Sequence, residues 1–289
     1  MPIYVNDHLI NSFKFPGGEV QVRLPIILGR YYELDYVRVC AVLNSSDAIM
    51  ELLLTVDAIR RSDPNLKINL TIPYFPYARQ DRVCGPDEAL SVKVMADIIN
   101  SLNCRLVKIY DPHSDVVGAL IKNIIIVDQR GLIWETKFNS FISGHDLGLV
   151  APDAGASKKI NSAAYVCSKQ DNYIPEIFQG YKDRDVVTGK ISNIGIIGDV
   201  SGKNLVIIDD ICDGGATFLS LGKVLKDKGA KDLYLYVTHG IFSKGLSELR
   251  TLFKHVYCYH SLHDQFKNDR DFLTIYQEIK YENKSPYSD

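Results

Sequence analysis

Apolar residues along this chain switch repeatedly between two spacings. In residues 37–43, VRVCAVL, they recur at every second position, the period of a strand with one buried face. In the next segment Ile49, Leu52, Leu53, Val56 and Ile59 recur at three and four, the period of a helix. Ser46 or Asp47 can cap the start of that helix, and Arg60 and Arg61 suit the negative end of its dipole before Ser62-Asp63-Pro64 breaks it. Ile68, Leu70 and Ile72 return to the strand period. A second helix is predicted over 90–102 through Val92, Met95, Ile98 and Ile99, and RLVKIY reads as the next strand. The second half repeats this logic. GLVAP is a short strand, and SKKINSAAYVC reads as weak helix followed by strand. LVIIDD is a strand ending in a Gly-rich turn, followed by a helix over 217–228, a stop at Gly229 and the strand DLYLYVT.

Strands alternating with helices imply parallel sheets covered on both faces, with the loops after the strands gathered at one edge. The polar clusters mostly follow strands: 79–82, 111–114, 153–159 and 209–217. The halves read as two related α/β domains, 1–140 and 141–289, joined around 136–144. The polar tail KYENKSPYSD is expected to fray.

Composition narrows the function classes. The chain has 289 residues, 46% hydrophobic, enough to bury two cores. A formal net charge of −2 argues against a nucleic-acid binder. No apolar run is long enough to span a membrane, and MPIYVNDHLINSF lacks the regions of a signal peptide. The six cysteines form no CxxC pair, so neither a zinc site nor a disulfide framework is indicated, and a reduced, cytoplasmic protein is expected.

The most informative segment is LVIIDDICDGGAT, residues 205–217. An apolar strand delivers the adjacent carboxylates Asp209 and Asp210 to its C-terminal end. Gly214 and Gly215 turn the chain tightly, and a helix opens at Thr217. Backbone N–H groups at a glycine turn and a helix N-terminus form a phosphate site. Two carboxylates beside it can accept hydrogen bonds from sugar hydroxyls or help hold Mg²⁺. A second segment, PYFPYARQDR, puts two arginines beside Gln80 and Asp81 on a loop after a strand, and arginine forks suit polyphosphate oxygens. On residue types alone a surface ion-pair cluster would serve as well.

These segments resemble known ones. IIDDICDGGAT resembles the phosphoribosyl pyrophosphate-binding motif of type I phosphoribosyltransferases and ribose-phosphate pyrophosphokinases, which usually carry Thr at the position of Gly214. PYFPYARQDR resembles the ATP segment of the ribose-phosphate pyrophosphokinases. KFPGGE resembles their N-terminal loop, DPHSDVVGA their Asp-Leu-His signature, APDAGASKK their Ser-Pro-Asp-x-Gly-Gly loop, and 181–203 the place of their mobile loop. The chain thus resembles the ribose-phosphate pyrophosphokinase family from Phe15 to Thr217, with a family-like THG at 238–240.

The resemblance implies two phosphoribosyltransferase-like domains, each a mainly parallel sheet flanked by helices. It implies that Arg79, Gln80 and Asp81 bind ATP, with Phe15 and Glu19 contacting adenine in a neighbouring subunit of a homo-oligomer. Asp209 and Asp210 would meet the ribose hydroxyls of ribose 5-phosphate. Asp213, Gly214, Gly215, Ala216 and Thr217 would hold its 5-phosphate. His113 would stand near the ATP phosphates and, with Asp153, hold Mg²⁺. Lys182 and Arg184 would close over the transferring group. A phosphoribosyltransferase shares the Asp-Asp motif but not the ATP-like first half. A catalytically silent regulatory homologue would share the fold without needing Lys182, Arg184, His113 and Asp153.

Overall fold

A computed structural model of the chain describes residues 3–25, 35–184 and 191–277; the side chains of residues 182–184, 191–193 and 264 lie outside that description. The expected α/β architecture with two mainly parallel sheets is present, in two compact units that divide between Val127 and Asp128.

The first unit contains β1 (Ile3–Val5), β2 (His8–Leu9), β3 (Asn11–Lys14), β4 (Val20–Arg23), β5 (Tyr36–Ala41), α1 (Ser46–Ser62), β6 (Lys67–Ile72), α2 (Ser91–Ser101), β7 (Leu106–Tyr110), α3 (Val116–Leu120) and β8 (Ile124–Val127). Its main sheet has the order β2-β1-β5-β6-β7-β8, with β5 to β8 parallel and β1 antiparallel to β5. β3 and β4 form a separate antiparallel hairpin. Helix α1 buries Leu52, Val56 and Ile59, three of the residues whose spacing predicted it. Its cap is Ser45 rather than Ser46 or Asp47: the Ser45 backbone is extended, and its hydroxyl accepts the Ala48 N–H at 3.1 Å. That places the hydroxyl three residues before an otherwise orphaned N–H.

The second unit contains α4 (Gln129–Thr136), α5 (Phe138–Gly144), β9 (Gly148–Ala151), α6 (Ser157–Gln170), β10 (Ile177–Arg184), β11 (Ile191–Ile197), β12 (Leu205–Cys212), α7 (Ala216–Asp227), β13 (Leu233–Gly240), β14 (His255–Ser261) and β15 (Leu273–Ile275). The sheet order is β11-β10-β9-β12-β13-β14-β15, parallel throughout except for the β10–β11 pair. Every residue of β13 is buried, as a central parallel strand covered on both faces requires.

Two expectations are corrected here. The segment expected to join the halves at 136–144 is packed structure of the second unit. Phe138 is fully buried and stacks on Tyr236 of β13 with ring centroids 4.5 Å apart. Burying such a side chain contributes roughly 1.5–3 kcal/mol, which ties α5 to this sheet. SKKINSAAYVC does not turn into a strand. It runs as one helix to Gln170, because Ile160, Ala163, Val166 and Cys167 all reach one buried face. Tertiary burial outweighs the weak helix propensity of Tyr165 and Val166. The tail expected to fray lies outside the described residues.

Candidate active site

In the first unit the expected nucleotide-binding residues follow two adjacent parallel strands. The loop after β6 carries Arg79, Gln80 and Asp81, and the loop after β7 carries His113; β6 and β7 pair through Ile72 and Ile109. Buried Phe75 and Ala78 anchor the first loop from below. The Gln80 N–H donates to the Tyr77 carbonyl, and its own carbonyl accepts the Val92 N–H in the first turn of α2. Arg79 and Gln80 therefore stand exposed on a backbone bolted to a helix start. Asp81 pairs with Arg82 at 3.4 Å, and Arg82 is 80% exposed, so the pair adds little stability and leaves the guanidinium available. Asp111, directly after β7, is buried with φ 34, a strained conformation for a non-glycine residue, and turns the chain so that His113 emerges exposed.

Phe15 and Glu19 close the β3–β4 hairpin. The Phe15 N–H donates to the Glu19 carbonyl at 2.8 Å, and Phe15 lies edge-on to Phe13 with centroids 5.2 Å apart. The hairpin is fastened to α1 by a Ser12–Glu51 hydrogen bond and a Lys14–Asp47 ion pair. Both Phe15 and Glu19 remain exposed.

In the second unit, β12 carries Asp209 and Asp210 to its C-terminal end beside β13. The Asp210 N–H donates to the Asp209 carboxylate at 2.9 Å. Asp210 is 4% exposed, and Lys159 of α6 lies 4.0 Å from its carboxylate. Burial, and then repulsion from Asp210, hold the Asp209 carboxyl well above the usual carboxylate range. A hydrogen-bond donor or cation placed between the two acids would relieve that repulsion. The chain then turns through Asp213 and Gly214 to Gly215, whose φ of 77 only glycine adopts cheaply, and α7 begins at Ala216. The first N–H groups of α7, around Ala216 and Thr217, have no partner within the helix, and N–H groups so placed favour an anion.

Asp153 follows β9 and caps a short turn leading into α6, its carboxylate accepting the Ala156 N–H at 3.2 Å. Gly155 leaves room for this, since a Cβ there would lie 3.1 Å from the Asp153 oxygen. Lys182 and Arg184 were expected at the start of a loop. Their backbone instead continues β10, with Lys182 opposite Ile194 and an irregularity between Asp183 and Arg184. Strand pairing with β11 holds the chain up to Arg184; residues 185–190 and both side chains lie outside the described residues.

Three contributors carry no sequence signal of their own. Gln129, 2% exposed, donates to the Asp209 carbonyl at 2.7 Å and the Thr238 hydroxyl at 3.0 Å, bracing the strand end from 80 residues away. Lys159 stands in a motif read for its acid and its small residues. At Gly180 a Cβ would lie 2.7 Å from the carbonyl oxygens of both Ala151 and Pro152, so β10 passes the Asp153 loop only as glycine.

No group of three or more His, Cys, Asp or Glu side chains is arranged to hold a metal ion among the described residues. The available donors are hard carboxylate oxygens, which fit Mg²⁺ held by one or two side chains with substrate phosphates completing its shell.

Comparison with known proteins agrees with both halves of the chain. A family profile described as the N-terminal domain of ribose phosphate pyrophosphokinase matches residues 5–102, and one described as a phosphoribosyl synthetase-associated domain matches 149–251. The ribose-phosphate pyrophosphokinase of Mycoplasmopsis pulmonis is 33% identical over 243 residues, covering 82% of this chain and 71% of that protein. That of Bradyrhizobium diazoefficiens is 32% identical over 208 residues, 70% of this chain but only 61% of that protein. The solved phosphoribosylpyrophosphate synthetase from Mycobacterium smegmatis matches with a TM-score of 0.75 at 22% identity, over 93% of this chain and 86% of that one, and so shares its fold. With both halves matched and a third of the aligned residues identical to the Mycoplasmopsis protein, this chain belongs to the ribose-phosphate pyrophosphokinase family.

Proposed function

We propose that this chain is a ribose-phosphate diphosphokinase, transferring the β,γ-pyrophosphoryl group of Mg-ATP to the 1-hydroxyl of ribose 5-phosphate to give phosphoribosyl pyrophosphate and AMP. The observation that carries the reading is the end of β12. Two adjacent acids stand there, one of them held by burial and by its neighbour well above the usual carboxylate range, directly followed by a glycine-turned helix start. That pairing offers acceptors for the sugar hydroxyls and donors for the 5-phosphate on one continuous segment.

In this reading Asp209 and Asp210 orient the ribose, and the backbone from Asp213 to Thr217 fixes its phosphate. Arg79, Gln80 and Asp81 hold the triphosphate, with Phe15 and Glu19 taking the adenine of a neighbouring subunit. Asp153 and His113 are the residues that the family resemblance offers to Mg²⁺, which would supply charge neutralisation when bound. The protein needs no covalent intermediate. The 1-hydroxyl attacks the β-phosphorus in line with departing AMP, and positioning plus charge stabilisation supply the rate. Lys182 and Arg184 stabilise the charge that moves in the transition state. A cytoplasmic homo-oligomer fits this reading, and no helix among the described residues is long and apolar enough to cross a membrane.

The test is to incubate the protein with ATP, ribose 5-phosphate and Mg²⁺ and identify the nucleotide product. AMP formed only when the sugar phosphate is present supports the reading. ADP would mean ordinary kinase chemistry and overturn it.

A further inference from the structure

The loop after β13 is built to present one side chain. Gly240, the last residue of β13, has no Cβ because one would lie 2.2 Å from the ring of Phe242. Phe242 tucks into that space, 1% exposed, edge-on to Phe266 and with φ 50, a backbone conformation that a bulky residue adopts only when its surroundings enforce it. The N–H groups of Ile241 and Phe242 both donate to the Cys212 carbonyl, and that of Ser243 donates to the Asp213 carbonyl. The loop is thereby bonded to the backbone at the start of the candidate phosphate turn.

The next residue is Lys244. Its Cδ and Cε lie 3.5 Å from where a Cβ on Gly214 would stand, so the stem lies along the turn at the residue that brings no side chain of its own. The ammonium is one bond further, within about 5 Å of that point. Lys244 is exposed, and no ion pair or hydrogen bond of its ammonium falls among the described residues. A lysine that is only a solvated surface group has no need of a strained, doubly bonded loop to hold its stem against a glycine turn.

We propose that Lys244 is a substrate-binding residue, its ammonium supplying to the 5-phosphate of the sugar the side-chain donor that Gly214 lacks. This rests on the ribose 5-phosphate reading above and extends it, because the backbone donors of residues 213–217 then share the dianion with a cation from a different loop. A charge-assisted contact of this kind acts on the phosphate wherever it is bound, so it tightens sugar-phosphate binding rather than only the transition state.

The test compares the intact wild-type chain with Lys244→Met, Lys244→Arg, Gly214→Thr and the Gly214→Thr/Lys244→Met pair. It uses calorimetric titration with ribose 5-phosphate alongside initial rates of AMP formation. Lys244→Met should weaken ribose 5-phosphate binding and raise its KM by roughly tenfold or more, the worth of one charged hydrogen bond, while the KM for ATP and the thermal melt stay put. Lys244→Arg should keep most of the affinity. The atoms nearest to a Cβ at 214 are those of the Lys244 stem, at ordinary contact distance, so Gly214→Thr is sterically tolerated, and its hydroxyl should recover much of the loss in the double variant. Wild type and Lys244→Met binding the sugar phosphate equally would overturn the proposal, as would equal losses for ribose 5-phosphate and ATP. A wild type that binds ribose 5-phosphate but releases no AMP would overturn the reaction and leave Lys244 to be judged by binding. A wild type that does neither would overturn both.

Discussion

On the proposed reading, Asp209 is a residue at which stability and function conflict. Its carboxyl is held above its ordinary value of 3.8 by burial and by Asp210. The folded chain therefore keeps a proton that the unfolded chain has already lost, and ionising it weakens the native state as pH rises through the raised value. Asp209→Asn retains an oxygen to accept the Asp210 N–H but removes the charge. It should raise the melting temperature at pH 7.5, by about 2–4 °C for each kcal/mol relieved, while lowering kcat/KM for ribose 5-phosphate at least tenfold. The gain in melting temperature should vanish as the pH falls below about 4, where both forms are neutral. An unchanged or lower melting temperature at pH 7.5 would show that the acid pair is not a source of strain. The single tryptophan, Trp134, lies half-exposed on α4 and makes fluorescence a reporter of this unit.

At the scale of elements, strand β10 decides how the second unit presents its loops. Gly180 is required by close approach and not by backbone conformation. Gly180→Ala would push a methyl against two backbone carbonyls that end β9 and start the Asp153 loop. It should cost about 1–3 kcal/mol of stability, read by Trp134 fluorescence in denaturant, and should lower activity further by displacing Asp153. A variant as stable and active as wild type would show that the two strands part easily. Further along the strand, Lys182 now stands on paired backbone instead of in a loop. Lys182→Ala should lower kcat by roughly a hundredfold, the cost of one positioned donor to a transition state, with little change in KM or in the melt. A near-normal kcat would mean that the strand ends in a solvated lysine and that catalysis lies elsewhere.

At the scale of the molecule, each unit is built on a mainly parallel sheet, and their acid responses should differ. The second unit holds His239 and His260 buried in neighbouring central strands, their ring nitrogens 2.9 Å apart. Such a bond carries one proton between two imidazoles. Burial and His239 hold His260 well below its ordinary value of 6.5. The unfolded chain gains a proton there that the folded chain refuses, so stability is complete above pH 6.5 and falls below it, at up to about 1.4 kcal/mol per pH unit. Asp209 acts with the opposite sign, so the comparison should be made between His260→Gln and wild type. The variant should lose less stability between pH 7 and 5.5 by Trp134 fluorescence, and parallel losses would exclude the pair as an acid trigger. The sequence by itself determined the alternation of strands and helices, the Asp-Asp and glycine segment, and the polar loop at 79–82, because each is local: a side-chain period, a turn residue or a run of adjacent donors. It did not reveal that the helices at 129–144 belong to the second unit, since that follows from Phe138 meeting Tyr236 nearly a hundred residues away. Nor did it show Gln129 bracing Asp209, Gly180 admitting β10 beside Asp153, or Lys244 lying over Gly214. Those contacts exist only once the strands are stacked in register, and side chains so distant in the chain leave no spacing from which to predict their meeting.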